Sequence, residues 1–371
     1  MTLARAALVG LTAVGVAAGA ASPAVSFELG IQDDRLLLGA PITADGASIE
    51  PSVGLAAAQR LGVRNVKLLV RWAAVAPTSK TAPDLSRYDH AVDLARASGF
   101  RVQLTLDGPA PAWATANDRV GNHRPSANAF ARLAGVVATH FRGRVGRYAI
   151  WNEPNWHGHL TPVRQAPRLY RALYRAGWEA IRRADPGARV LFGELAPLGR
   201  PEAATPPLRF LRQATCSDQR WRAARRCRPL RTDGFAHHPY TLRWHPAFPG
   251  VSPDDVTTGS LGRLVTALRC LARRGALRTP AGRTPPLYLT EWGWHARSLR
   301  IPEPLRSRFI ADGLALIARQ PSVREVIWYQ LVGTADPAPH WDTGLLDPDG
   351  EPRPAYAALR RAYRSLSPRR G

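Results

Sequence analysis

Short apolar blocks alternate with longer amphipathic stretches along most of this chain. Val25 to Gly30 reads as a first strand, and Pro51 to Leu61 as a helix that Gly62 ends. Arg64 to Val70 is a second strand, with Arg71-Trp72 at its end. Asp84 or Ser86 can cap a helix through Ser98, with Gly99 just beyond it. Arg101 to Leu106 is a third strand, running into Asp107-Gly108-Pro109. The Pro- and Gly-rich stretch to Arg124 is a long loop, and Ser126 opens a helix to Phe141. Tyr148 to Trp151 is a fourth strand, stopped by Pro154, which has no amide hydrogen for a ladder. Leu169 to Ala184 is an amphipathic helix stopped at Asp185-Pro186-Gly187. Strands at Arg189 to Gly193, Asp233 to His238, Leu287 to Thr290 and Val323 to Gln330 complete the series. Helices at Leu208 to Ala214, Ser260 to Arg274, Leu305 to Arg319 and Pro354 to Tyr363 lie between and after them.

Eight strand-then-helix units predict one α/β domain over 25–371, a single (β/α)8 TIM barrel. An open doubly wound sheet fits less well, because no Gly-x-Gly-x-x-Gly turn follows the first strand. A barrel places its site at the C-terminal ends of its strands. Arg71, Asp107, Glu153, Glu194, His238, Glu291 and Trp328 all fall at or near such ends.

Composition adds compartment and partners. The chain has 371 residues, 45 % of them hydrophobic, and a formal net charge of +23. That charge comes from arginines scattered through every segment, Lys67 and Lys80 being the two lysines. No recognition motif accompanies it, so nucleic acid is not expected as a partner. Arg5, the apolar run Ala6 to Ala20 and small residues through Ala24 form the three parts of a secretory signal over 1–24. The expected mature protein is therefore secreted, extracellular or at the cell surface, without a membrane span. In that compartment Cys216 and Cys227 are expected to close a disulfide around an arginine-rich loop, leaving Cys270 free.

The candidate chemistry lies in two stretches with one grammar. Tyr148-Ala149-Ile150-Trp151-Asn152-Glu153-Pro154-Asn155-Trp156 and Pro286-Leu287-Tyr288-Leu289-Thr290-Glu291-Trp292-Gly293-Trp294 each run from an apolar strand into a glutamate and then aromatics. Two strand-end carboxyl groups suit glycoside hydrolysis, and aromatic rings suit a stacked sugar. His237 and His238 point to opposite faces of a strand, so they do not form a metal pair, and no metal or other cofactor is expected.

Asn152-Glu153-Pro154 and Thr290-Glu291-Trp292-Gly293 resemble the signatures of the clan A retaining glycoside hydrolases, the β/α-barrel group of cellulases, xylanases, mannanases and β-xylosidases. The 138 residues between the glutamates (291 − 153) suit that group's fourth and seventh strands. The resemblance implies Glu153 as acid/base and Glu291 as nucleophile. It implies Asn152 as a contact to the sugar 2-hydroxyl, reached through a break in strand geometry. His238 would be a sugar contact and Tyr240 a donor to the nucleophile. Arg71 would hold the nucleophile ionised, and Trp328 would floor the sugar. The expected protein is a monomer acting on a polysaccharide or oligosaccharide. The competing expectation is a catalytically silent carbohydrate-binding barrel, which retention of both glutamates disfavours.

Overall fold

The computed structural model describes residues 27–39, 43, 46–79, 82–296, 301–334 and 341–366. The segment 1–24, read above as a signal, lies outside them. Eight parallel strands close into a barrel in chain order. They are β1 (Glu28–Gln32), β2 (Asn65–Arg71), β3 (Arg101–Asp107), β4 (Arg147–Ile150), β5 (Arg189–Leu195), β6 (Gly234–His237), β7 (Leu287–Trp292) and β8 (Val323–Tyr329). β1 seals the ring, with Gly30 opposite Asn65 of β2 and Ile31 opposite Trp328 of β8. The first strand runs two residues past the expected end at Gly30, while Val25 and Ser26 of its expected range lie outside the described residues.

The helices α1 (Pro51–Leu61), α2 (Ser86–Ala97), α3 (Ala127–His140), α4 (Ala166–Ala184), α5 (Pro207–Ala214), α6 (Leu261–Arg273), α7 (Glu303–Ala318) and α8 (Pro354–Leu366) accompany the strands. Their boundaries follow local chemistry. Ser126 accepts the Ala129 amide at the start of α3, and Gly62 ends α1 at a φ of 87°, a left-handed value that costs glycine little. α4 buries Tyr170, Leu173, Tyr174, Gly177 and Ile181, a stripe at helical spacing. Each large side chain in that stripe contributes about 1.5–3 kcal/mol on leaving water.

Both faces of the strands are covered, as in other parallel sheets. Outward residues join the helices in one large apolar core, whereas Ala149, Leu191, Ala236 and Tyr288 form a small separate cluster. Around that cluster the polar side chains of Lys67, Gln103, Thr105, Glu194 and Glu325 are almost fully buried.

Apart from the ring, Leu230–Arg231 and Leu277–Arg278 form a two-stranded parallel pair. Cys216 and Cys227 are joined by a disulfide, and Cys270 is not in one. No helix among the described residues is long and apolar enough to cross a membrane.

Candidate active site

The break anticipated after β4 is real. Trp151 and Glu153 take φ values of 65° and 40°, so side-chain alternation stops and Glu153 turns toward the mouth of the barrel. Its amide donates to the backbone carbonyl of Glu194 at 2.9 Å, tying this turn to β5. Trp151 packs outward against Phe130 of α3 and donates its indole N–H to the His159 carbonyl, while Trp156 is 38 % exposed.

Glu291 comes from β7, whose pairing with β8 slips so that Leu289 opposes Val326 and Trp292 opposes Trp328. The extra residue on β7 is a bulge, a device that re-aims a side chain. One oxygen of Glu153, one of Glu291 and a ring nitrogen of His238 all lie within 4.8 Å of one another. His238 Nδ1 is 3.1 Å from Glu153 Oε1, and the Tyr240 hydroxyl donates to Glu291 Oε2 at 3.2 Å. His237, on the opposite face, is bonded to the Val256 carbonyl, so the two histidines serve different surroundings.

The positive charge beside Glu291 is Lys67, not Arg71. Lys67 is wholly buried on the barrel side of β2, with Nζ 3.2 Å from Glu291 Oε1 and 3.0 Å from Glu194 Oε2. Arg71 shares that face but lies four residues further along, about 13 Å at strand rise. There it stands opposite Asp107 in the β2–β3 register, and the two side chains pair at 2.8 Å. Asp107 in turn accepts the Asn152 amide at 3.1 Å, so the arginine braces the turn that presents Asn152. The carboxamide oxygen of Asn152 is buried without a partner, an acceptor left over for something that enters the site.

Trp328 is packed edge-on against Trp292 at 5.5 Å within the large apolar core and donates to the Thr343 carbonyl. The next residue, Tyr329, instead lines a cavity of about 640 Å³ with Arg71, Gln330 and Trp341. A larger cavity, about 980 Å³ between residues 162–165 and 199–206, includes none of the residues named here.

Glu194, anticipated only as a strand-end carboxylate, is part of this arrangement. Strict alternation from Leu191 would turn it outward. Gly193, at φ 122°, and Glu194, at φ 48°, break the alternation and turn it in. Its Oε1 accepts from Gln103 Nε2 at 3.2 Å and from Thr105 Oγ1 at 3.1 Å.

Burial and then the neighbouring Glu291 charge hold the Glu153 carboxyl well above the usual range, against a smaller opposing effect of Lys67. Burial also pushes Glu194 up to about 7, although Lys67 works against it. Burial disfavours the Lys67 ammonium, yet Glu194 and Glu291 outweigh it and its pKa is raised. His238 is held neutral by burial and by the Lys67 charge. The arrangement therefore offers a carboxyl that keeps its proton, Glu153, next to a second carboxyl group, Glu291, that is paired with a buried lysine. Glu153, His238 and Glu291 could also bracket a metal ion, but Lys67 against Glu291 puts a competing positive charge at that place.

The sequence matches no protein-family profile and no curated protein. Its fold is that of solved glycoside hydrolases. A family 39 glycoside hydrolase from the gut symbiont Bacteroides cellulosilyticus superposes with a TM-score of 0.64 at 17 % identity, covering 92 % of this chain and 64 % of that one. An exo-β-1,4-mannosidase from an Opitutaceae bacterium gives 0.62 at 18 %, covering 92 % and 60 %. A xylanase from Thermotoga petrophila, solved with xylobiose, gives 0.58 at 14 %, covering 92 % and 94 %. This chain thus spans less than two thirds of the first two proteins.

Proposed function

We propose that the protein is an exported retaining glycoside hydrolase that cleaves O-glycosidic bonds of a polysaccharide or oligosaccharide by double displacement. The observation that carries this reading is the spacing and unequal environment of Glu153 and Glu291. Oxygens within 4.8 Å of each other leave no room for the water an inverting enzyme keeps between carboxyl groups about 6.5–9.5 Å apart.

In the first step Glu291 attacks the anomeric carbon while Glu153 gives its proton to the departing glycosidic oxygen. Lys67 and Tyr240 stabilise the negative charge of the attacking carboxylate and fix its direction. Departure of the leaving group lets Glu153, now ionised, take a proton from water. That water attacks the glycosyl-enzyme, Glu291 leaves, and the anomeric configuration is restored. The unpartnered Asn152 oxygen suits the sugar 2-hydroxyl, and that bond would strengthen as the ring takes on oxocarbenium character. Export rests on the segment 1–24 and agrees with the Cys216–Cys227 disulfide.

The test is proton NMR of the first-formed sugar, after β-linked aryl glycosides and polysaccharides are screened for turnover. A retained anomer is expected; an inverted one overturns the mechanism, and binding without turnover overturns the enzyme.

A further inference from the structure

Glu194 has no part in the double displacement, yet it is 0 % exposed and shares the cation that serves Glu291. We propose that Glu194 is a positioning residue that sets how tightly Glu153 holds its proton, by competing with Glu291 for Lys67 and adding its own negative charge to the site. This rests on the role given to Glu153 above.

The groups facing Glu194 come from most of the barrel. Lys67 on β2 stands at 3.0 Å, and Gln103 and Thr105 on β3 donate to the other oxygen. Gln103 accepts from Arg147 Nε at 2.6 Å, and Arg147 pairs with buried Glu325, so a polar column runs down the barrel from the site. Beyond β6, His238 Nε2 is 3.9 Å from Glu194 Oε2. Tyr170 of α4 accepts the Gly193 amide through its hydroxyl, and Glu153 is bonded to the Glu194 carbonyl.

One charged lysine and the neutral imidazoles of His238 and His159, the latter 4.0 Å from Glu153, cannot offset three ionised carboxyl groups in a water-poor cup. Full ionisation would leave two net negative charges, so protons are retained and each group feels the charge of the others. Burial places the Glu194 titration near neutrality. Once ionised, Glu194 makes loss of the Glu153 proton harder and keeps the acid usable to higher pH.

The decisive comparison is wild type against Glu194→Gln, which keeps the side-chain shape and removes the charge. In kcat/KM on an aryl glycoside with a poor leaving group, the alkaline limb is expected to move to lower pH by about one unit. Thr105→Val, which removes a donor to the ionised form of Glu194, should move the same limb in the same direction by less. A purely structural Glu194 would lower the plateau or the unfolding temperature without moving the limb. Glutamate δ-carbon NMR titration follows the Glu153 carboxyl without any turnover. An unchanged Glu153 midpoint in Glu194→Gln overturns the proposal, whereas a shifted midpoint in a protein without hydrolytic activity supports the coupling and refutes the acid/base role.

Discussion

Lys67 Nζ stands 3.2 Å from Glu291 Oε1, and both side chains are buried in the barrel mouth. A charge pair so placed is valuable only while both partners remain, because removing one strands the other in a poor solvent.

Lys67→Met should therefore lower kcat by at least about 100-fold and destabilise the fold by roughly 3–5 kcal/mol. Lys67→Arg retains the charge and should recover part of both. Arg71→Met removes a partner of Asp107 at a site where its own side chain is 34 % exposed, and should cost less in kcat. Steady-state kinetics and thermal unfolding of the three variants check the order. An Arg71→Met defect larger than that of Lys67→Met would assign the support of Glu291 to the arginine instead.

Glu153→Gln should cost about 10²–10⁴ in turnover of a glycoside with a poor leaving group. It should spare the first step for an activated aryl glycoside, whose leaving group needs no proton. Glu291→Gln should remove both activities. Stopped-flow measurement of the aryl burst with each variant separates the two roles.

The raised Glu194 pKa makes a prediction about stability. Its value rises from about 4.5 in an unfolded chain to about 7 in the fold, so the folded state holds this proton more tightly. The resulting stabilisation is complete below pH 4.5, declines as pH rises toward 7, and amounts to roughly 3 kcal/mol at most. His237, whose pKa burial lowers to about 4, works in the opposite direction over an overlapping range. The difference between wild type and Glu194→Gln reports the Glu194 carboxyl together with its coupling to Glu153. Denaturant midpoints across pH 4 to 8 should show the wild type losing stability relative to the variant as pH rises; a constant difference would refute the assignment.

A methyl group at position 193 would stand 2.3 Å from the Ala236 carbonyl oxygen, on a backbone with φ 122°. Gly193→Ala should cost about 1–3 kcal/mol or more and displace Glu194. Thermal unfolding reads the first effect. Wild-type stability in this variant would show that the bulge accommodates a side chain.

The order of strands and helices was legible because it depends on local periodicity, capping and breakers. Ser126, Gly62 and Pro154 act over a turn or less, and their effects survive folding unchanged. The two strand-end glutamates were legible for the same reason, since an apolar run meeting a carboxyl group and a breaker is a local event. Which cation faces Glu291 was decided by tertiary structure. Lys67 and Arg71 share a strand face, and only the depth of Glu291 and the β2–β3 register give the lysine to the site and the arginine to Asp107. The inward turn of Glu194 also lay outside strand periodicity, because a bulge reverses the two-residue alternation beyond it. Likewise Trp328 and Tyr329 are neighbours in a readable strand, but the helices and loops packed around β8 decide which is buried and which lines the cavity. Chemistry at a strand end can be read from the chain, while the partner it meets depends on strands brought together by closure of the barrel.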